Sequence, residues 1–199
     1  SYDNIFENAA FQIDTDWRLG LTGRNGRGKT TFFKLLMKEF EYSGKITADV
    51  DFEYFPYSAV NEEYFTIDVV REIAPNAEDW EFSKEFSLLG LEDDVFYRQF
   101  FTLSKGEQTK ALLVALFLKE NAFLLIDEPT NHLDAFSREE LENTLLNYSG
   151  TMLIVSHDRY FINKLATSVI ELTPHGVNTY LGNYDSYAEK RFISGEKEK

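Results

Sequence analysis

A glycine-rich stretch near the start of the chain has the residue types and spacing of a phosphate-binding loop. Glycines allow consecutive backbone N–H groups to turn toward an anion, and a helix directly behind them presents its positive end to the same anion. Lys29 would supply a cation to the β- and γ-phosphates, and the Thr30 hydroxyl would bind a magnesium ion that bridges them. The stretch therefore predicts binding of a nucleoside triphosphate. The predicted phosphate-binding residues are Gly23, Arg24, Asn25, Gly26, Arg27, Gly28, Lys29, Thr30 and Thr31.

The segments on either side of this loop match its requirements. Residues 17–22 are predicted to form a short buried strand, and residues 32–37 are apolar at helical spacing. A strand, a glycine loop and a helix form the context in which such a loop binds phosphate. A glycine-rich turn without a ligand is the alternative interpretation, and it is disfavoured because the lysine and the threonine stand in register.

Two adjacent carboxylates follow a second buried segment. Residues 123–126 are a continuous apolar run, which is typical of a central parallel strand, and the run ends at Asp127 and Glu128. Ligands of open α/β sheets bind at the carboxyl ends of such strands. Asp127 could hold magnesium through water, and Glu128 could orient and deprotonate an attacking water. A solvated turn is the usual alternative for an isolated Asp-Glu pair, and the buried run disfavours it here.

Two further side chains are candidates on weaker signals. The apolar strand predicted at 151–155 precedes His157, whose imidazole could reach a γ-phosphate, although a lone histidine is more often structural. The Tyr2 ring could stack on adenine. A tyrosine on a frayed chain end is an equally good interpretation of that residue.

A long apolar helix is predicted to end at residue 118 and to begin with a defined cap. Ser104 and Glu107 have the spacing of a capping box, in which each side chain accepts a hydrogen bond from the other residue's backbone N–H. Capping accounts for those two residues. It leaves Gly106 and Gln108 unexplained.

Composition limits the class of protein. The chain has 199 residues and a net charge of -14, which argues against a surface that grips nucleic acid through many phosphates. It contains no cysteine, so disulfides and thiolate metal sites are excluded. No apolar run approaches the roughly 18 residues that a membrane-spanning helix needs. We therefore expect a cytoplasmic protein, and the charged tail and the initial Ser1 lead us to expect a fragment of a longer one.

Residues 58–102 differ in character from the rest, because they are acidic and aromatic and contain no obvious chemistry. They predict a helical subdomain beside an α/β core formed by residues 1–57 and 103–183. Residues 184–199 are charged and are predicted to be helical. The other expected elements are strands at 5–13 and 50–55, helices around 67–73, 80–89, 93–99 and 159–166, and a hairpin of strands 169–172 and 177–181.

The order of these motifs resembles the nucleotide-binding domain of ATP-binding cassette (ABC) proteins. The phosphate loop is followed by LSKGEQ at 103–108, LLIDEPTNHLD at 124–134 and SHD at 156–158, so the resemblance covers nearly the whole chain. The forms EPTNHLD, SHDRYF and GNYDSY resemble the ABC-F subfamily. Its members carry two such domains on one polypeptide, have no membrane domain and act on the ribosome. The chain looks most similar to the N-terminal cassette of the ABC-F proteins that protect ribosomes from antibiotics.

The resemblance implies a fold and a set of partners. The fold would be a P-loop NTPase of α/β class, with an ABC-type ATPase core, a helical subdomain and a peripheral antiparallel β portion. The activity would be hydrolysis of ATP with Mg2+, and the partners would be a second cassette in the parent chain and the ribosome. Residues 184–199 would begin the linker between the cassettes, whose helices enter the ribosome.

The resemblance also assigns roles to individual residues. It places Tyr2 where the family stacks an aromatic ring on adenine, gives Asp127 and Glu128 the metal-binding and water-activating roles, and makes His157 the switch histidine. The signature, which closes over ATP bound to the opposing domain, corresponds to Ser104, Lys105, Gly106, Glu107 and Gln108. The loop that touches the opposing domain corresponds to Asn131, His132, Leu133 and Asp134.

Two positions depart from the family pattern. Tyr57 stands where the family usually has a glutamine that senses magnesium and water, and Lys105 replaces a usual glycine of the signature. Both departures concern hydrolysis rather than ATP binding. They leave open a clamp that binds ATP without hydrolysing it, and an energy-coupling subunit of a transporter is a further alternative.

Overall fold

The computed structural model describes residues 10, 12–14, 17–23, 28–57, 61–131, 133–173 and 176–193. The strands in this part of the chain are β1 (Arg18–Thr22), β2 (Asp51–Phe55), β3 (Ala122–Asp127), β4 (Met152–Val155), β5 (Ser168–Thr173) and β6 (Gly176–Leu181). The α-helices are α1 (Lys29–Leu36), α2 (Thr66–Ile73), α3 (Asp79–Leu88), α4 (Lys105–Leu118), α5 (Ala135–Asn147), α6 (Arg159–Leu165) and α7 (Tyr184–Ile193). Two short 3-10 helices span Asp93–Tyr97 and Phe100–Thr102.

The described strands form one sheet in the order β2-β3-β4-β1-β5-β6. All neighbours are parallel except β5 and β6, which form the antiparallel hairpin at one edge. In the parallel part Gly20 pairs with Ile154, and Asp127 pairs with Val155. The carboxyl ends of β1, β3 and β4 therefore lie side by side, which is where ligands of open α/β sheets bind.

Each central strand is buried on both faces, which explains its continuous apolar sequence. Successive residues point to opposite faces, so Leu125 and Leu153 pack against α1, whereas Leu124 and Ile126 pack with the helices on the other side. Phe33 of α1 is fully buried in the first of these cores. The first core thereby holds the helix that follows the phosphate loop against the sheet.

The predicted helical segment packs against α4. Helices α2 and α3 both contact α4, and Phe82 and Phe86 are fully buried between these elements. Phe86 and Phe96 stack with ring centroids 4.5 Å apart. The aromatic content of this segment is therefore used to build a second apolar cluster that joins the core through α4.

Most of the predicted elements are found, with three differences. The segment at 93–99 forms a 3-10 helix over Asp93–Tyr97 instead of a regular α-helix. Helix α5 was not predicted, although Asp134 caps it by accepting a hydrogen bond from Ser137 N at 2.7 Å. Residues 10, 12 and 13 carry no strand, and the rest of the predicted strand at 5–13 lies outside the described residues, as do 174–175 and 194–199.

In the described ranges, every helix is too short or too polar to cross a lipid bilayer.

Candidate functional site

The phosphate loop connects the carboxyl end of β1 to the first turn of α1. Gly28 caps the helix with φ 88°, a left-handed conformation that favours glycine. The Lys29 Nζ donates a hydrogen bond to the Gly23 carbonyl oxygen at 3.0 Å and so joins the two ends of the loop. Arg24, Asn25, Gly26 and Arg27 lie outside the described residues, as do Tyr2 and His132.

Thr30 and Asp127 meet across the site although they are remote in sequence. The Thr30 hydroxyl donates to Asp127 Oδ2 at 3.3 Å, because α1 begins at the edge of the sheet where β3 ends. The Tyr54 hydroxyl, from β2, donates to the same oxygen at 3.0 Å. Burial, together with the negative charge of Asp127, raises the pKa of Tyr54, so the phenol remains a donor at neutral pH.

Tyr54 was not among the site residues predicted from the sequence. Its signal was available in the alternation of β2, which places Phe52 and Tyr54 on the face that packs with α1. The ring of Tyr54 contacts Phe33 edge to face, with centroids 5.9 Å apart. What the sequence could not show is that β2 is the neighbour of β3, which brings the phenol to Asp127.

Glu128 has an unusual backbone conformation for its residue type. Its φ is 51°, in the left-handed region that costs a non-glycine residue about 1–3 kcal/mol and that is concentrated at functional sites. Its backbone N donates to the Val155 carbonyl at 2.8 Å, which continues the pairing of β3 with β4 by one residue. The side chain is thereby directed toward the segment that follows β4.

His157 supplies the partner of the Glu128 carboxylate. The His157 backbone N donates to Glu128 Oε2 at 3.1 Å, while the mostly exposed imidazole places Nε2 3.4 Å from Oε1. That second approach lacks hydrogen-bond geometry. Oε1 is buried, and it accepts no hydrogen bond from the described residues. The structure therefore leaves one oxygen of the Glu128 carboxylate without a hydrogen-bond donor beside the His157 imidazole.

These side chains line one cavity of about 790 Å³ at the carboxyl edge of the sheet. Its lining includes Gly28, Lys29, Thr30, Thr31, Tyr54, Asp127, Glu128, Asn131 and His157. Four predicted phosphate-loop residues, Gly28 to Thr31, are thus brought together with the two carboxylates and the histidine that were predicted from separate motifs. Tyr57 is partly buried against the helical cluster and does not belong to this lining.

The residues present fit a magnesium ion bound with a nucleotide. The Thr30 hydroxyl and the Asp127 carboxylate are hard oxygen ligands, which Mg2+ prefers, and they converge within hydrogen-bond distance. The described residues contain no group of three or more His, Asp or Glu side chains that could hold a metal by themselves. The phosphates of the nucleotide would have to complete such a site, as is usual for Mg2+.

The signature segment lies elsewhere. Ser104 caps α4 and Glu107 completes the predicted capping box, with hydrogen bonds of 3.2 and 2.7 Å. Burial opposes ionisation of Glu107, but the hydrogen bonds from Ser104 and the charge of Arg98 lower its pKa overall. The amide of Gln108 is buried and donates to the Phe100 carbonyl at 2.9 Å, which gives this residue a structural role.

A second cavity, of about 460 Å³, adjoins the signature segment. Ser104, Lys105, Gly106 and Glu107 line it, together with Asp134 at the start of α5. The Lys105 ammonium donates to Gln108 Oε1 at 2.8 Å, and Leu133 lies next to Gly106. The signature residues therefore line a surface separate from the cavity that contains Lys29.

Replacement of Ser104 by alanine tests this separation. Because the side chain caps α4, we expect Ser104→Ala to lower the free energy of unfolding by about 1 kcal/mol. Because the residue lies outside the cavity that contains Lys29, the ATP affinity of the chain should not change. Urea denaturation and calorimetric titration measure the two quantities. The exposed helical Ser87→Ala serves as the control for stability, and weaker ATP binding by Ser104→Ala would contradict the assignment.

Several known proteins are similar to this chain in sequence. The family model described as ABC transporter matches residues 6–131. The chain is 32% identical to ABC transporter F family member 2 of Arabidopsis thaliana, over 98% of the chain and 30% of that protein. It is 34% identical to the ribosome protection protein VmlR of Bacillus subtilis (strain 168), over 94% of the chain and 35% of that protein. The chain thus spans about a third of the length of these relatives.

Solved structures support the fold. The chain superposes on the ATP binding subunit of an ABC transporter with a TM-score of 0.75, covering 98% of this chain and 89% of that one at 24% identity. The α/β core with a helical portion and an antiparallel β edge is therefore the ABC ATPase fold. Together with the matched family model, these observations show that the chain belongs to the ABC transporter family.

Proposed function

We propose that the chain is an ATP-binding and hydrolysing cassette of a cytoplasmic ABC-F protein that acts on the ribosome. The observation that supports this best is the convergence of Lys29, Thr30, Asp127 and Glu128 on one cavity. Nucleotide binding alone would not require Glu128, whose backbone is strained and whose Oε1 is buried without a donor. Hydrolysis would use both features.

The proposed chemistry assigns one task to each side chain. The Lys29 ammonium leaves the Gly23 carbonyl and binds the β- and γ-phosphates, while Thr30 and Asp127 would hold Mg2+, directly and through water. The ion would neutralise the charge that develops on the phosphates. Glu128 Oε1 takes a proton from water, the water oxygen bonds to the γ-phosphorus, and the bond to the β-γ bridging oxygen breaks to release ADP. The His157 backbone N holds Oε2 and leaves Oε1 without a donor among the described residues.

The proposal includes a second cassette in the parent chain. The signature segment Ser104 to Gln108 would close over ATP bound to that cassette, because its residues Ser104 to Glu107 line a cavity of their own. Helix α7 would begin the connection between the two. It is held to β5 by the buried Glu171, which accepts a hydrogen bond from the Tyr187 hydroxyl of α7 at 3.0 Å and lies 3.1 Å from the Arg191 guanidinium of the same helix.

The ribosomal role rests on similarity. One relative is named a ribosome protection protein, and the motifs of the chain resemble those of ABC-F proteins. Because the chain has a net charge of -14 and RNA phosphates are also negative, contacts with RNA are expected from other parts of the parent protein. Protection against an antibiotic is the finer form of the same proposal.

A clamp that binds ATP without hydrolysing it is the second candidate. It is favoured by Lys105 in the signature and by the position of Tyr57 away from the cavity that contains Lys29. The two candidates differ in turnover by the full-length protein. Both predict that ATP strengthens association with ribosomes.

Calorimetry and cosedimentation test the proposed function. MgATP should bind the chain with one site per copy, and the parent protein should cosediment with ribosomes in MgATP but not in MgADP. Phosphate release by the parent protein then separates the hydrolysing cassette from the clamp. Failure to bind MgATP would contradict both candidates, and equal cosedimentation in the two nucleotides would contradict the ribosomal role.

The chain by itself should be a monomer with little ATPase activity. The signature that would close over its nucleotide must come from another cassette, and water exclusion and positioning contribute strongly to catalysis. A head-to-tail dimer would bring together two copies that each carry a net charge of -14. Because salt screens this repulsion, any ATP-dependent dimer should become tighter as ionic strength rises.

Light scattering and phosphate release in MgATP across a salt series measure these two properties. A Glu128→Gln chain serves as the control, because it should bind ATP and show the same salt dependence without turnover. A tight dimer at low salt, with turnover like that of the full-length protein, would show that one cassette is sufficient.

A further inference from the structure

The Asp127 carboxylate is held by two hydroxyl groups on one of its oxygens. Tyr54 donates to Oδ2 at 3.0 Å and Thr30 donates to the same atom at 3.3 Å. In the described part of the chain both donors reach Oδ2, so Oδ1 is the oxygen that remains for the water shell of a cation. The two hydrogen bonds fix the direction in which Oδ1 points.

The two donors differ in what determines the position of each hydroxyl group. The Thr30 hydroxyl can bind a cation through its oxygen while its proton remains directed at Asp127. Its position therefore depends on the bound ion and nucleotide. Tyr54 is held instead by the sheet, since it pairs with Leu125 of β3, and by its edge-to-face contact with Phe33 at 5.9 Å.

The phenol is consequently a fixed support for the carboxylate. Strand β2 is joined to β3 from Asp51 to Phe55, the whole length of the shorter strand. The Tyr54 ring lies on the apolar face beneath the cavity, and its hydroxyl is the polar end that reaches Asp127. A phenylalanine would fill the same space without donating a hydrogen bond.

We propose that Tyr54 is a positioning residue that orients the Asp127 carboxylate for the divalent cation that accompanies the nucleotide. The inference rests on the proposed ATP site. It separates two properties of that site, because the phenol should control how strongly Mg2+ promotes nucleotide binding and should have little effect on binding of the nucleotide alone.

The test compares ATP binding with and without the cation. Calorimetry with ATP in EDTA and with ATP at increasing Mg2+ gives the factor by which the ion strengthens binding. Tyr54→Phe should leave the dissociation constant in EDTA within twofold of the original value. It should lower the Mg2+-dependent gain in affinity by about tenfold, the effect of one hydrogen bond to a charged group. Direct Mn2+ titration with bound ATP, followed by electron paramagnetic resonance, should show the same loss.

Two further variants make the result specific. Tyr97→Phe removes an exposed phenol that lies outside the lining of the cavity, and it should leave both dissociation constants unchanged. Asp127→Asn should lower the Mg2+-dependent gain, and addition of Tyr54→Phe to it should cause no further loss, because the phenol acts through the carboxylate. Thermal unfolding monitors the fold of each variant.

The outcomes separate this inference from the proposed function. Unchanged Mg2+ dependence in Tyr54→Phe would overturn the positioning role alone, as would an equal loss of affinity in EDTA and in Mg2+. Additive effects of Tyr54→Phe and Asp127→Asn would also overturn it. A wild-type chain that binds ATP in neither buffer would overturn the proposed function together with this inference.

Discussion

Glu128→Gln is expected to lower the ATP turnover of the full-length protein by about 100-fold or more, the usual effect of removing a general base. The amide keeps the shape of the side chain but cannot take the proton from water. Its carbonyl oxygen can still accept the hydrogen bond from the His157 backbone N, which reaches Glu128 Oε2 at 3.1 Å. ATP affinity should therefore remain within about twofold, since no binding contact is assigned to this carboxylate.

Phosphate release under saturating MgATP and calorimetric titration measure the two quantities. Glu139→Gln, an exposed change of the same chemistry on α5, is the matched control and should alter neither. Turnover equal to that of the wild type would move the catalytic role to another residue. A strong loss of ATP binding would instead assign Glu128 to the ligand contacts.

Lys29→Ala is expected to weaken ATP binding by at least about tenfold, as a hydrogen bond to a charged group contributes about 1.5–3 kcal/mol. Among the described residues that line the cavity, Lys29 is the only lysine or arginine. Its contact with the Gly23 carbonyl can be replaced by water, because both residues are only partly buried. The fold should therefore remain intact.

Calorimetric titration of the chain with MgATP measures this effect, and circular dichroism monitors the fold. Lys34→Ala removes the same charge from the same helix, and its ammonium lies over the Phe40 ring instead of the cavity. The control should therefore bind ATP like the wild type. Equal affinities of Lys29→Ala and wild type would contradict the phosphate-loop assignment on which the proposed function depends.

The parts of the site that depend on local sequence pattern could be predicted. The loop with Lys29 and Thr30 was recognisable because glycine spacing, strand and helix all occur within one short segment. Asp127 and Glu128 were recognisable because a buried parallel strand must deliver its last residues to the carboxyl edge. The capping box of Ser104 and Glu107 is equally local, and the structure confirms it.

The contacts that depend on which strands are neighbours could not be predicted. Tyr54 reaches Asp127 only because β2 is paired with β3, and the Glu128 carboxylate meets His157 only because β4 is on the other side of β3. The left-handed backbone of Glu128 could not be predicted either, because glutamate rarely adopts that conformation. Helix α5 was not predicted, although Asp134 is a cap and Leu141 and Leu145 are an apolar pair at helical spacing.

The order of strands also determines when the protein can fold. Strand β1 lies in the middle of the sheet, yet its partners come late in the chain, since Arg18 pairs with Met152 and Thr22 pairs with Glu171. Contacts between α2 or α3 and α4 are much closer in sequence and can form first. During synthesis, Leu19 and Leu21 therefore remain without their strand partners until β4 and β5 have emerged. The cavity that contains Lys29 is consequently among the last parts of the nascent chain to assemble.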